Sequence, residues 1–593
     1  EDRTLRVWHP GSGKLIATFE GHQAPVRAVA IGYNGKLAAS CGLDRTVRLW
    51  DVATGRCLNT LTGHAHETTG VAFPRDLKQM FSSSRDKKAA AWCLGITKDG
   101  HTAPTIICHA VSSEAAQSMD KAFEGALASA RKSLEGGDVL GAANFVRQAR
   151  SQSGRRRAPE AMTIWRELYT RLPRTSFNGA WEHATISEIQ EPISEICLTT
   201  GGRIGLVVSG KNTMAIWDLI RINQIQTFEK DTGSIEAASM SFDGKWILTG
   251  AWEIKLWDAN TGAHVRTFDR QSDIVSALAI GPDGKFALSA QATSVRLWET
   301  ATGRAMGELQ GHVADVNTVA WSSDGRLAIT GGEDKRVLVW EIATGRCLLT
   351  MEGHTQSVLS CCFSFDGLFA VTGGGSIWQR PGEVKVWDLT SGQCVHTFEG
   401  HGDSVTCVDI SADSRYVLSG SRDKTVKMWD MITGKHVYTF EGHGDGVETC
   451  AFTMDGRYMI SGSKDQTIRV WALDWALDDR PPAPWDPGAE PIVRNFLVSC
   501  TPYGAELDPN REANEKKIMQ ALTRRGSPKY GEGDLNRLFF ALGCGGYGWL
   551  HPQGVMQIVE RMASGWHLPK GLPERPGAEG GVAHALMKRF FSR

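Results

Sequence analysis

The chain has 593 residues, with 66 acidic side chains against 65 basic ones and 13 cysteines. That length exceeds what one hydrophobic core serves, so several domains are expected, and the near-cancelling charge excludes a global field that would draw the protein to nucleic acid or an anionic membrane. The cysteines are scattered, with no C-x-x-C pair and no clustered His/Cys spacing, which argues against a zinc site or a disulfide framework and for a reducing, cytoplasmic setting.

No apolar run reaches the ~18 residues of a membrane-spanning helix, and no signal peptide is visible. The chain opens on EDRTLRVW, the tail of a repeat unit with no front half and no initiator methionine. It is therefore expected to be the C-terminal part of a longer protein. Across residues 1–97, Trp8, Trp50 and Trp92 stand 42 residues apart, and Gly-His pairs ending at His22 and His64 precede the latter two.

Residues 98–179 change character. Phe123, Leu127, Ala130 and Leu134 follow helical spacing, and Gly136-Gly137-Asp138 stops one helix and caps the next, which runs to about Arg150. Pro159 opens a third, striped by Met162, Trp165, Tyr169 and Leu172. ARKSLEGGDVLGAANFVRQAR resembles one helical hairpin of the tetratricopeptide type, read either as a spacer or as a peptide groove.

The tryptophan clock returns over residues 180–475. Trp217, Trp257, Trp298, Trp340, Trp387, Trp429 and Trp471 follow at steps of 40, 41, 42, 47, 42 and 42. Gly-His ends at His312, His354, His401 and His443, and the His-to-Trp gap is 28 residues in every Gly-His unit of the chain but that of His354. Within EGHGDSVTCVDISADSRYVLSGSRDKTVKMWD, VTCVDIS, YVLSG and TVKMW read as strands separated by the turn clusters ADSR and SRDKT, and HVYTFEG supplies a fourth after Ile432-Thr433-Gly434.

A period of 40–45 with Gly-His near its start and Trp-Asp near its end marks a β-propeller blade. The chain resembles the WD-repeat family over roughly two thirds of its length. The resemblance implies a mainly β fold, with a seven-bladed propeller at 180–475 and an incomplete, N-terminally truncated second propeller at 1–97, joined by the helical insert 98–179. It also implies that the orphan strand WEHATISEI, residues 181–189, completes the last blade by pairing with TIRVW, which ends at Trp471. Such closure removes exposed sheet edges.

Residues 476–489 read as a Pro-rich linker, 490–568 as a small, mainly helical domain, and 569–593 as a linker with a basic amphipathic tail. In the small domain NEKKIMQALTRRG reads as a helix ended by Gly526. Leu535, Leu538, Phe539 and Leu542 stripe a second helix capped by Asp534, and Pro552 opens a third. Its phrases NFLVSCTPYG, IMQALTRRG and LGCGGYGWL resemble a C-terminal extension of bacterial multi-ring WD-repeat proteins. Gly543, Gly545 and Gly548 spell G-x-G-x-x-G, but a helical stripe precedes them where a dinucleotide site needs a strand. Helix termination is the better account.

Each well-formed unit repeats one polar set: His22, Ser40, Asp44 and Trp50; His64, Ser82, Asp86 and Trp92; His312, Thr330, Asp334 and Trp340; His401, Ser419, Asp423 and Trp429; His443, Ser461, Asp465 and Trp471. Ser, His and Asp suggest a hydrolytic triad, but recurrence in every unit argues against it. In the WD-repeat family these side chains form a buried structural relay, Trp to hydroxyl to His to Asp. The sequence offers no P-loop, no HExxH and no zinc array, and no catalytic, cofactor-binding or metal-binding residue is proposed.

Three units, ending at Trp217, Trp257 and Trp298, lack Gly-His, and Lys211 and Ala251 stand where the turn acid is expected. The unit ending at Trp387 gains five residues in its turn and also loses the Asp. These departures leave Trp252 and Trp378 in turns around the channel's narrow mouth. Together with Arg380, Arg422 and Lys464 they form the candidate partner site, since Trp and Arg are common interface anchors. The expectation is a non-enzymatic scaffold binding other proteins or peptides. The alternative is the regulatory region of a larger bacterial signalling enzyme, a serine/threonine kinase or nucleotide-switch ATPase, whose catalytic domain lies upstream. A small-ligand or hydrolytic propeller would need convergent carboxylates or histidines on the inner strands, and none is evident.

Overall fold

Short β-branched runs joined by tight turns can satisfy their backbone groups only by pairing with each other, and each resulting sheet must then cover its faces with a neighbour. The computed structural model describes residues 2–8, 15–32, 35–52, 54–55, 57–62, 64–74, 79–87, 89–96, 102–108, 113–152, 155–210, 212–228, 234–268, 273–376, 381–505 and 515–573. Its backbone divides into two units, residues 1–168 and 169–593.

The first unit holds a two-stranded sheet (Leu5–Trp8 with Leu15–Phe19) and two four-stranded antiparallel sheets. The second of these is completed by Thr102–Cys108, paired with Ala89–Ile96. The helical reading of 98–179 therefore begins too early. TAPTIIC contains Pro104, a residue that weakens a strand reading from sequence although an edge strand tolerates it. Helices α1 (Ser113–Glu135), α2 (Val139–Ser151) and α3 (Pro159–Glu167) follow. Gly137 turns the chain at φ +78°, and the Asp138 carboxylate accepts the Gly141 amide to cap α2. Phe123, Leu127, Ala130, Ala142, Val146, Met162 and Trp165 are buried. The guanidinium of Arg150 lies 4.8 Å from the centre of the Trp165 ring.

The second unit is a ring. Six consecutive four-stranded meanders occupy residues 193–227, 237–267, 275–310, 316–351, 357–399 and 405–440, called here blades 1 to 6. Blade 7 takes three strands from Val447–Phe452, Tyr458–Ser463 and Ile468–Leu477, and its fourth is Arg174–Ile186 from the start of the unit. The first strands of successive blades are neighbours, and that of blade 7 lies beside that of blade 1, which closes the circle. Burial grades outward: Phe286–Gln291 of blade 3 is buried throughout, whereas His264–Thr267, the outer strand of blade 2, is exposed throughout. Blades are glued face to face by apolar clusters. At the seam, Ala184 and Ile186 of the closing strand pack with Ile193 and Val207 of blade 1 and Ile460 and Val470 of blade 7.

The closing strand differs from the expected 181–189 in starting at Arg174 and ending at Ile186. Its partner runs past Trp471 to Leu477 and carries the pairing with it, through register shifts at Arg174/Ser176, Phe177/Gly179 and Glu182/Ala184. Several side chains latch the seam. Arg469 pairs with Glu182 across the two strands. Tyr169 Oη donates to the Leu473 carbonyl at 3.1 Å and accepts the Trp475 amide at 3.2 Å. The buried Arg174 guanidinium reaches Asp413 of blade 6 at 3.0 Å and the Cys544 carbonyl at 2.8 Å.

Residues 476–489 do more than link. Trp485 joins the core of the helices that follow: α4 (Glu490–Cys500), α5 (Glu515–Leu522), α6 (Glu532–Leu542) and α7 (Pro552–Ser564). Asp534 is not the cap of α6 but its third residue. The helix begins at Glu532, and the Asp534 carboxylate reaches back to the Gly531 amide at 2.8 Å. Gly543 and Gly548 have the Thr170 carbonyl where a β-carbon would stand, so the glycine cluster serves close backbone packing.

These helices sit on the ring face where the turns between first and second strands gather. Tyr503 Oη and Arg524 Nη2 donate to Asp283 at 2.6 and 2.8 Å, and Asn495 Nδ2 donates to Ser323 Oγ at 3.0 Å and to the Phe365 carbonyl at 3.2 Å. Arg326 Nη1 donates to the Pro569 carbonyl at 2.7 Å. A cavity of about 760 Å³ remains between ring and helices, lined by Thr200, Phe242 and Met454 from below and Phe496 and Phe540 from above. The C-terminal helices thus cap one end of the propeller. Among the described residues no helix is long and apolar enough to cross a membrane.

Removing one partner of a buried ion pair leaves an uncompensated charge. Arg174→Ala is expected to lower stability by about 3–5 kcal/mol in urea unfolding, with Arg174→Lys intermediate. An unchanged midpoint for the alanine variant would contradict the latch.

Candidate interaction face

The opposite face is made by the turns between second and third strands and by the loops entering each first strand. Its local order comes from the polar sets. The structure brings together His22, Ser40, Asp44 and Trp50: Trp50 Nε1 donates to Ser40 Oγ (2.7 Å), His22 Nε2 meets Ser40 Oγ (2.7 Å), and His22 Nδ1 meets Asp44 Oδ2 (2.7 Å). The same chain of contacts joins Trp92, Ser82, His64 and Asp86. It joins Trp340, Thr330, His312 and Asp334; Trp429, Ser419, His401 and Asp423; and Trp471, Ser461, His443 and Asp465. One tautomer satisfies every atom: Nδ1–H donates to the carboxylate, and Nε2 accepts the hydroxyl proton.

The carboxylate does further work in the turn. Asp44 accepts the Gln23 amide, and Val313, Gly402 and Gly444 donate likewise to Asp334, Asp423 and Asp465. Each relay thus ties the entry loop to the second turn. The residue after each relay Asp is left-handed without being glycine: Arg45, Lys87, Lys335, Lys424 and Gln466 have φ between 64° and 73°. Such a conformation costs roughly 1–2 kcal/mol for an L residue and persists only where its surroundings over-determine it. Here the Asp fixes both sides of the turn.

Blade 5 corrects the sequence reading that its acid is lost. Glu383, at the start of the third strand, takes the place of Asp: His354 Nδ1 meets its Oε1 at 3.1 Å, and the Thr355 amide donates to the same oxygen at 2.6 Å. Thr372 and Trp387 complete the set. In blades 2 and 3 the relay is shortened to Trp257 Nε1 on Thr249 Oγ1 (3.0 Å) and Trp298 Nε1 on Ser289 Oγ (2.9 Å), and in blade 1 Val207 occupies the hydroxyl position.

Two inner strands carry a buried carboxylate, each turned to the neighbouring blade. Glu195 in blade 1 and Asp409 in blade 6 each accept a backbone amide of the next blade, from Ala238 (2.8 Å) and Phe452 (2.7 Å). Burial pushes them up to about 7 and about 6. Each stitches two blades together. Among the described residues no three His, Cys, Asp or Glu side chains are grouped to hold a metal ion.

Seven segments of the chain match the family described as WD domain, G-beta repeat: residues 13–51, 55–93, 262–299, 303–341, 345–388, 392–430 and 434–472. The chain belongs to the WD-repeat family. No curated protein gives a significant match. The matched segments begin at a fourth strand and end at the next Trp. The WD repeats ending at Trp217 and Trp257 fall outside them, consistent with the missing His and turn acid. As in WD-repeat propellers generally, the geometry is that of an interaction scaffold: rigid loops displayed on a closed ring.

Of the candidate partner-binding residues, Trp252 is 54% exposed in the second turn of blade 2. Lys464 is exposed in blade 7 and paired with Glu448 at 2.9 Å. Arg422 is half-buried in blade 6 beside Gly446 of blade 7. Arg422 and Lys464 are therefore neighbours, whereas Trp252 stands on blade 2, across the ring. Trp378 and Arg380, and likewise Lys211, lie outside the described residues.

Burial alone would raise the Glu383 carboxyl, but the hydrogen bonds from His354 and the Thr355 amide, with the Lys385 charge, bring it down to about 2. Burial lowers His22 and His443 below 6.5 despite their aspartates. Both effects favour the folded state at neutral pH. The histidine contribution is complete above pH 6.5 and is lost as pH falls below it; the Glu383 contribution is complete above 4.5 and is lost toward 2. Glu195 and Asp409, raised by burial, act in the opposite sense between about 7 and the ordinary carboxyl range, so the Glu383 contribution is read as a difference between variant and parent chain below pH 4.5. Glu383→Gln, by breaking the relay, should cost about 1–3 kcal/mol at pH 7, and its urea midpoint should fall less than the parent's between pH 4.5 and 2. Equal falls in the two chains over that range would contradict the assignment.

Proposed function

We propose that this chain is a non-enzymatic scaffold that recruits other proteins through the ring face formed by the second turns and entry loops. One observation carries the reading: the C-terminal helices already occupy the other face, through Asp283, Ser323 and Phe365. The face that is left is held in shape by relays, so a partner meets preorganised loops and little ordering cost is incurred.

The test is affinity capture by the full chain, with the bound proteins identified by mass spectrometry. Proteins retained by the parent chain should be lost in at least one of Trp252→Ala, Arg422→Ala and Lys464→Ala, and kept by the outer-strand variants Val265→Ala and Val395→Ala. Proteins held equally by all three turn variants but lost with the outer strands would overturn the proposal.

A further inference from the structure

The open face is not uniform around the ring. Trp252 in the second turn of blade 2, Ile274 in the entry loop of blade 3 and Val313 in the entry loop of blade 4 are 54%, 41% and 73% exposed. The first two flank a single hydrogen bond: the Val275 amide donates to the Ala251 carbonyl at 2.8 Å, which sets Ile274 beside Trp252. The same blade-to-blade link recurs one step on, where the Val316 amide donates to Ala292 at 2.7 Å and brings the turn of blade 3 against the loop that carries Val313. Three large apolar side chains therefore follow one arc over blades 2 to 4. Single exposed apolar residues are ordinary, but a run of them along consecutive loops marks a contact surface.

The charge along this arc has one dominant sign. Glu253 follows Trp252, Asp273 precedes Ile274, Asp315 follows Val313 by two residues, and the Glu333 amide donates to the Asp315 carbonyl at 2.8 Å, which places Glu333 at the same rim. All four are exposed, and among the described residues none of them forms an ion pair. Among the described residues of these turns and entry loops the bases are Lys335 and Arg336, and Arg336 is turned to Glu352 at 3.0 Å. Across the ring the turns of blades 6 and 7 present Arg422, Lys424 and Lys464 instead.

The shortened relays account for the part of the arc on blades 2 and 3, while Val313 follows the complete relay of blade 4. Without an entry-loop histidine and a turn aspartate, blades 2 and 3 carry short turns, and Ala251-Trp252-Glu253 takes the place of the Asp-centred turn.

We propose that this arc docks a basic peptide segment, with apolar side chains seated on Trp252, Ile274 and Val313 and flanking lysines or arginines facing Glu253, Asp273, Asp315 and Glu333. The inference rests on the scaffold reading and names the chemistry of one partner of that face. Apolar anchors supply most of the affinity, and the carboxylates set orientation, encounter rate and salt dependence.

The experiment pans the full chain against a random 12-residue peptide display library and measures the enriched peptides by fluorescence polarisation. Enriched sequences should carry net positive charge and at least one aromatic or branched apolar residue. Trp252→Ala should weaken their binding at least ten-fold, and the pair Asp273→Lys with Asp315→Lys should do the same. Arg422→Ala and Lys464→Ala should leave it within two-fold, and binding should weaken as salt rises. All these positions are exposed or half-buried, so melting temperatures should hold, and they check that each variant is folded. Enrichment of acidic peptides lost with Arg422→Ala or Lys464→Ala would overturn this proposal and leave the scaffold reading standing. Absence of basic peptides, or basic peptides indifferent to Trp252→Ala, would also overturn it. The scaffold reading itself falls only with the capture experiment.

Discussion

Pairing of Arg174–Ile186 with Ile468–Leu477 is the constraint on which the second unit depends. No blade can bury both faces of its own sheet, so each relies on two neighbours, and a row of seven would leave two blades half covered. The antiparallel ladder between the ends of the unit turns that row into a circle and removes the last open edge. Its contacts span nearly the whole ring, with Arg469 and Glu182 separated by 287 residues. Closing so long a loop is unfavourable until the blades between are formed, which makes the seam a late event in folding. Arg174 extends the constraint outward, since its one guanidinium holds the closing strand, the blade 6 turn and the C-terminal helices.

The two faces of the ring are then assigned different work. On one, the C-terminal helices bury polar turn atoms with matched donors, and Arg524 stacks on Tyr503 at 4.2 Å while both hold Asp283. On the other, the relays replace a covering domain. A buried chain of indole, hydroxyl, imidazole and carboxylate holds two loops in place without spending surface. Blades 4 to 7 are built this way. Blades 1 to 3 are not, and among the described residues of this face the exposed large apolar side chains Trp252, Ile274 and Val313 lie over blades 2 to 4.

Much of this was legible in the sequence because the blade repeats a rigid unit. The indole spacing gave the sheets their order, and WEHATISEI stood out as a strand with no repeat around it. The first part of that strand did not stand out: RTSFNGA lacks alternation and contains two of the register shifts. Glu383 escaped notice because it lies 29 residues from His354, against 22 in the regular blades, and in a strand instead of a turn. Docking of the C-terminal helices had no sequence signal, since Tyr503 and Arg524 meet Asp283 across 220 and 241 residues. The arc of Trp252, Ile274 and Val313 was hidden for the same reason. Only Trp252 is conspicuous alone, and the other two acquire meaning from the blade-to-blade hydrogen bonds that set them on one rim.

Hydrogen–deuterium exchange on the full chain tests the closed ring most directly. Peptides covering residues 174–186 and 468–477 should be protected to the same degree as the buried second strands, and should lose protection together as urea is raised. Rapid exchange over 174–186 while the second strands stay protected would show that the circle is open, and would contradict the account.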